Sequence, residues 1–240
     1  MTARRKAADL VRAGRVRVDG KVVTRPGLRV DPKRSRVEVD GRRVRVQPKR
    51  YFIVNKPRGP LSTVVDHRGR QTVLDILGDR AQRLYPAGRL DADTEGLLLI
   101  TNDGELTYRV THPRYEVEKV YEAQVGGRPS ATVLRRLEQG IVLEDGFTGP
   151  ARARLLRAAK ESSLLELTVH AGRKRMVRRM LAAVGHPVLA LRRTRIGPLS
   201  LGELRPGEHR ALKDEEVAAL KAYTMRAAAS NEEATSGSRS

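Results

Sequence analysis

The chain has 240 residues, enough for one large domain or a medium domain with a small appendage, and an apolar content of 39% that suffices for a packed core. Its 48 Lys and Arg outnumber 28 Asp and Glu by 20, which points to a polyanionic partner, while the absence of Cys excludes disulfides, thiolate metal sites and a cysteine nucleophile. Six Tyr, two Phe and no Trp exclude a single-strand binder built mainly from aromatic stacking platforms.

In chain order, residues 2–13 read as a short amphipathic helix stopped by Gly14. Residues 15–23 alternate Val with charge around Asp19-Gly20, a hairpin signal because that pair tolerates positive φ. The pattern recurs over 35–44, so residues 1–46 read as a compact basic α+β module whose few Val and Leu make it marginal alone. Residues 47–50 read as a linker. Buried strands are expected at 51–54 and 97–100, with further strands near 119–125, 141–143, 151–156 and 164–170. Residues 175–184 have helical spacing, 213–229 form a helix that begins with acids, and 230–240 are expected to be disordered for want of apolar content. Helices and strands interleave without regular βαβ spacing, which predicts an α+β fold with a mixed or antiparallel sheet. No apolar run approaches the ~20 residues that span a bilayer, and no signal-peptide apolar region opens the chain, so a cytoplasmic protein with no membrane partner is expected.

The charge is unevenly placed. Residues 1–50 hold 17 basic and 5 acidic side chains, and residues 170–196 hold eight basic and no acidic ones. These two segments carry the whole excess, which predicts two phosphate-facing surfaces forming one continuous face. The bland rival is a solvated basic surface or an Arg-rich codon bias.

The segment Gly88-Arg-Leu-Asp-Ala-Asp-Thr-Glu-Gly-Leu-Leu-Leu-Ile-Thr-Asn-Asp-Gly104 carries the chemistry. Asp91, Asp93, Glu95 and Gly96 imitate the start of a calcium loop, but position twelve is Asn102, which cannot supply a bidentate carboxylate. A carboxylate on a polar loop just before a buried strand is a rigid catalytic placement, although a capping or turn role is the ordinary one for any single Asp.

Residues 88–106 resemble the signature of the RsuA/RluB group of ribosomal RNA pseudouridine synthases. The resemblance extends through Val54-Asn-Lys-Pro-Arg-Gly59, Leu61-Ser-Thr-Val-Val-Asp66, Tyr85-Pro-Ala-Gly-Arg89, Thr111-His-Pro-Arg-Tyr-Glu-Val-Glu-Lys-Val-Tyr121, Gly172-Arg-Lys-Arg-Met-Val-Arg-Arg-Met180 and Leu191-Arg-Arg-Thr-Arg-Ile-Gly197. It covers residues 51–210 in order, and residues 1–46 resemble the appended S4-like RNA-binding module. The resemblance implies a pseudouridine synthase fold with a mixed, largely antiparallel central sheet in 51–210, followed by a C-terminal helix at 211–229. It also implies isomerisation of uridine in ribosomal RNA, of the large subunit, by a monomer that needs no cofactor and no metal. A ribosomal assembly intermediate is an equally suitable substrate. Small-subunit ribosomal RNA, transfer RNA, or a non-catalytic ribosome-associated role are the alternatives.

By the same resemblance Asp91 is the catalytic aspartate, Tyr121 stacks on the uracil and assists proton removal, and Arg178 pairs with Asp91. Arg89 fills the gap left by the flipped uridine. Arg4, Arg5, Arg15, Arg17, Lys21, Arg173, Lys174, Arg175 and Arg179 are the expected RNA contacts. The rival readings are ordinary core packing for Tyr121 and plain phosphate contact for Arg178. His112 and His186, each before a Pro, read as turn residues. Two departures stand out. Met176 occupies a place where many relatives have Gln or Glu. The S4-like module also lacks its usual first helix, so it is expected to be truncated at its start, with the face of Leu10 and Val11 under-packed.

Overall fold

The computed structural model describes residues 4–31, 34–45, 47–78 and 84–237, with side chains between residues 6 and 226. It divides into two compact units, Met1–Lys49 and Arg50–Ser240. The second begins at Arg50 because its backbone is already fastened there. Its N–H donates to Asn102 Oδ1 (2.8 Å), and its carbonyl accepts from Thr101 Oγ1 (2.7 Å).

In the first unit α1 (Arg4–Arg12) precedes β1 (Val16–Val18), β2 (Lys21–Val23), β3 (Val37–Val39) and β4 (Arg42–Arg43). The strands form an antiparallel sheet ordered β2-β1-β3-β4. Both hairpins turn on Asp-Gly with positive φ at each residue: 50° and 81° at Asp19 and Gly20, 50° and 74° at Asp40 and Gly41. That geometry matches the twist of the flanking strands. Val16 is the one buried apolar side chain among the described residues of this unit, while Leu10 and Val11 are half-buried.

The second unit contains β5 (Tyr51–Lys56), α2 (Val73–Leu77), β6 (Tyr85–Pro86), β7 (Glu95–Thr101), α3 (Gly104–Thr111) and a 3-10 turn at Pro113–Tyr115. There follow β8 (Lys119–Gly126), α4 (Ala131–Gln139), the hairpin β9 (Val142–Leu143) and β10 (Gly146–Phe147), β11 (Arg152–Arg157) and β12 (Ser162–Val169). The unit ends with α5 (Met176–Ala183), β13 (Val188–Ile196), β14 (Leu199–Ser200), β15 (His209–Ala211) and α6 (Asp214–Gly237). The main sheet runs β11-β12-β8-β13-β7-β5-β15, with β14 on β13 and β6 on β7. All its pairings are antiparallel except β13 with β7, so the sheet is mixed and largely antiparallel as the sequence predicts.

Both faces of this sheet are covered, which explains the unbroken apolar run in β7. Leu98 and Ile100 enter a core shared with α2, α4 and α5, whereas Leu97 and Leu99 enter a second core with α3 and α6. A strand buried on both sides has no polar alternation to show.

Two expectations need correction. Residues 188–196 read as part of a basic block, yet they form the central strand β13. Burial alternates along it, with Leu191 and Arg193 inward and Arg192 and Thr194 part-exposed, and Arg193 is only 4% exposed. The C-terminal helix does not stop at 229 to leave a disordered tail but continues to Gly237. A segment without large apolar residues can still be helical, because Glu232, Glu233 and Ala234 favour helical backbone. Residues 238–240 lie outside the described residues.

Candidate active site

The approach of β13 to β7 organises the site. An added Cβ at Gly96, whose φ is +110°, would lie 2.2 Å from Arg193 O and 2.6 Å from Arg193 N. Only glycine lets these backbones close at this junction, the one parallel pairing of the sheet among the described residues. The junction follows the loop 89–94 and places it beside Arg193 and, across β13, Tyr121 of β8.

The loop is anchored at several points. The Lys56 amine, with no solvent exposure at the end of β5, donates to the carbonyls of Pro57 (3.0 Å), Asp91 (3.1 Å), Thr94 (3.0 Å) and, at 3.4 Å, Ala92. Burial pushes this amine down to about 8, opposed by the charges of Asp93, Asp91 and Glu95. Ser62 Oγ donates to Leu90 O (2.8 Å) and accepts from Leu90 N–H (3.0 Å), and Gly59 N–H donates to Ala92 O (2.8 Å). Lys56, Gly59 and Ser62 lie in two of the quoted sequence stretches, and holding residues 90–94 gives those stretches a physical purpose. Sequence reasoning assigned Lys56 no role. A lysine closing the mostly apolar strand Tyr51-Phe-Ile-Val-Asn-Lys56 is the signal available.

Asp91, Arg89, Thr111, Lys119, Tyr121 and Arg193 all border one cleft. The Asp91 carboxylate has no hydrogen bond or ion pair among the described residues, although Lys56, Arg175 and Arg178 all feel its charge. Tyr121 is 9% exposed, and its hydroxyl accepts a long hydrogen bond from Arg193 Nη1 (3.4 Å). The Arg193 Nε–H donates to Leu97 O (2.8 Å), and Arg193 Cζ stands 6.0 Å from the centre of the Tyr121 ring. Lys119 Nζ donates to His170 O (2.9 Å), and burial, reinforced by Arg193, pushes it down to about 8. Buried Arg193 and Lys119 therefore line the same wall as Tyr121, where sequence reasoning singled out only the tyrosine.

Arg178 does not pair with Asp91 as expected. Its Nη2 donates to Asp93 O (2.8 Å) and lies 3.4 Å from Asp93 Oδ2. Asp91 borders the cleft, whereas Asp93, two residues on, meets α5. Arg175 completes that contact with two hydrogen bonds to the Asp93 carboxylate (3.2 and 3.0 Å), while itself held at φ 51°. Burial opposes ionisation of Asp93, but the bonds from Arg175 and the charge of Arg178 outweigh it and hold the carboxyl below its ordinary range.

Other expected RNA contacts prove to be engaged within the chain. Arg179 bonds both carboxylate oxygens of Asp145 (2.9 and 2.8 Å) in the β9–β10 turn, and Arg173 donates to Asp145 O (2.6 Å) and Gly146 O (3.0 Å). Arg15 forms a two-bond pair with Asp40. Arg17, Lys21, Arg89 and Lys174 are exposed without a partner among the described residues. The side chains of Arg4 and Arg5 lie outside those described. Met176 is buried at the first turn of α5 and borders the cleft. His186 Nδ1 lies 2.8 Å from Gly126 O, a structural contact.

The RNA pseudouridylate synthase family profile matches residues 50–183, and an S4 domain profile matches residues 3–34. An uncharacterized RNA pseudouridine synthase of Aquifex aeolicus is 48% identical over 221 residues, 92% of this chain and 89% of that protein. The ribosomal large subunit pseudouridine synthase B of Bacillus subtilis is 46% identical over 92% of this chain and 91% of its own. A crystal structure of a pseudouridylate synthase superposes with a TM-score of 0.66 at 30% identity, covering 91% of this chain and 94% of that one.

Proposed function

The chain belongs to the RNA pseudouridylate synthase family, carries an S4 domain, and is an RNA pseudouridine synthase; on that premise we propose that it isomerises uridine in large-subunit ribosomal RNA with Asp91 as the catalytic group. The observation that carries the assignment is the Asp91 carboxylate, unpaired at a cleft while its backbone is gripped by Lys56.

The reaction breaks the bond between uracil nitrogen and ribose carbon, turns the base, and joins ribose to a ring carbon, which loses its proton while the nitrogen gains one. Atoms balance within one nucleotide. A stacked base hides its glycosidic bond, so the uridine must leave the RNA stack to meet Asp91. Arg89, exposed and free at the cleft edge, occupies the vacated position. Tyr121 packs on the uracil, oriented by Arg193. Arg178 serves as a positioning residue, fixing the loop through Asp93 rather than touching Asp91.

Arg17, Lys21 and Lys174 supply free cations for phosphates. The exposed pairs of Arg173 and Arg179 with Asp145, Arg175 with Asp93 and Arg15 with Asp40 are weak enough for a phosphate to displace the carboxylate. The decisive experiment maps pseudouridine across ribosomal RNA in cells with the gene, without it, and with Asp91→Asn. Sites present only with the intact gene support the assignment. A wild-type pattern from Asp91→Asn, with the sites absent from the deletion, overturns the role of Asp91.

A further inference from the structure

Tyrosine is scarce in this chain, yet two of the six gather with a histidine on one surface. Tyr108 on α3 is 47% exposed, His112 caps the C-terminus of that helix and is exposed, and Tyr115 ends the following 3-10 turn, half-buried. The ring centres of Tyr108 and His112 are 4.7 Å apart. Tyr115 stands edge-on to both, 5.8 Å from Tyr108 and 6.5 Å from His112. Arg114 Cζ lies 5.3 Å over the Tyr115 ring.

Core packing accounts for only part of this group. Tyr115 leans on the core shared with α6, but Tyr108 and His112 do not belong to either core. Their one-turn spacing supports the helix by a few tenths of a kcal/mol at most, which does not require two exposed rings and a third beside them. His112 is held in place, because its Nδ1 accepts from Arg114 N–H (3.2 Å) and its backbone N–H donates to Tyr108 O (2.9 Å). A fixed, exposed aromatic surface with a cation over one ring suits a flat π-system attached to phosphates.

Its place in the fold points the same way. Thr107 and Thr111, each one residue before Tyr108 and His112, border a shallow groove with Arg89 and Ser62. Thr111 also borders the Asp91 cleft. Tyr108 and His112 thus sit one helical step round α3 from the two threonines that line this groove, and Gly88, Arg89 and Thr111 border both the groove and the cleft.

We propose that Tyr108, His112 and Tyr115 form a stacking subsite for an unpaired nucleobase of the RNA, next to the nucleotide that enters the Asp91 cleft. The proposal rests on the RNA-substrate reading above and extends it to a second base. Stacking needs no base edge, so the subsite adds affinity and register without reading sequence. It also qualifies what the composition excludes: phosphate contacts still dominate, but two of the few aromatics stand together with a histidine on one surface.

The test uses the full chain and a short single-stranded oligoribonucleotide carrying a fluorescent purine analogue that is quenched on stacking. Wild type and Tyr108→Phe are expected to quench it. Tyr108→Ala combined with His112→Ala is expected to lose the quenching and bind roughly 5- to 100-fold more weakly, with an unchanged circular dichroism spectrum. Quenching and affinity equal to wild type in the double variant, or no quenching by wild type, overturn the proposal. The readout needs no isomerisation. Loss of the ribosomal RNA assignment would instead appear as unmodified sites in the mapping experiment, so the two failures are distinguishable.

Discussion

Gly96→Ala tests whether the close contact of β7 and β13 builds the site. The new methyl would meet the Arg193 backbone at 2.2, 2.6 and 2.9 Å, and no rotation of a side chain can relieve a clash with backbone. The strands must separate by about 1 Å to restore ordinary contact, an overpacking cost of ~1–3 kcal/mol. Keeping φ near +110° adds about 1–3 kcal/mol of backbone strain for a residue with a Cβ. The sum, ~2–6 kcal/mol, is a large part of the ~5–15 kcal/mol that holds a typical domain. For a domain of this size it corresponds to a midpoint lowered by roughly 4–24 °C. Calorimetry of the purified variant beside wild type gives the number. Activity should fall further than stability at a temperature where both are folded, because Asp91 and Arg193 flank the displaced junction. A midpoint within about 2 °C of wild type together with wild-type turnover would refute the reasoning.

Lys56→Met removes three good bonds to loop carbonyls, worth ~1–3 kcal/mol each, but also relieves the burial of an ammonium, about 3 kcal/mol for a pKa lowered from 10.5 to about 8. The balance is a stability loss of ~0–6 kcal/mol, and turnover should drop at least ~10-fold as the loop loses its position; unchanged turnover in single-turnover assays rejects the anchoring role. Lys56 and Lys119 are both held near 8 in the folded chain, so above that pH the unfolded chain carries more protons than the folded one. Their contribution to stability accordingly rises between pH 8 and 10, and denaturant midpoints for wild type minus the Lys119→Met variant should show it; a flat difference counts against buried amines. In hydrogen exchange, residues 6–31 should lose protection before β5, β7 and β8, since only Val16 is buried there; equal protection contradicts a marginal first unit.

Much of the fold is legible because its signals are local. Asp19-Gly20 and Asp40-Gly41 announce their hairpins, and the apolar run of β7 announces a strand covered on both faces. What escaped is set by distant partners. β13 hides behind three arginines, since nothing near Arg193 in sequence tells that its guanidinium folds inward to Leu97 O and Tyr121. Asp91 and Asp93 are two residues apart with the same chemistry. Which one faces the cleft and which meets Arg178 depends on the position of α5, which no spacing rule encodes.

The same dependence on tertiary partners changes what the net charge means. The segment 170–196 looks like an undiluted phosphate-binding surface because its acids are absent from that segment. The acids lie elsewhere: Asp93 takes Arg175 and Arg178, Asp145 takes Arg173 and Arg179, and Arg193 is enclosed by the sheet. A run of arginines can thus tie a loop and a hairpin to a helix as readily as it can bind RNA. The distinction lies in exposure and exchangeability. Arg178 and Arg193 are withdrawn from solvent and set the shape of the cleft, so substituting them should impair modification more than RNA affinity. Lys174 and Arg89 are open to solvent, and charge removal there should weaken RNA binding and flatten its dependence on salt.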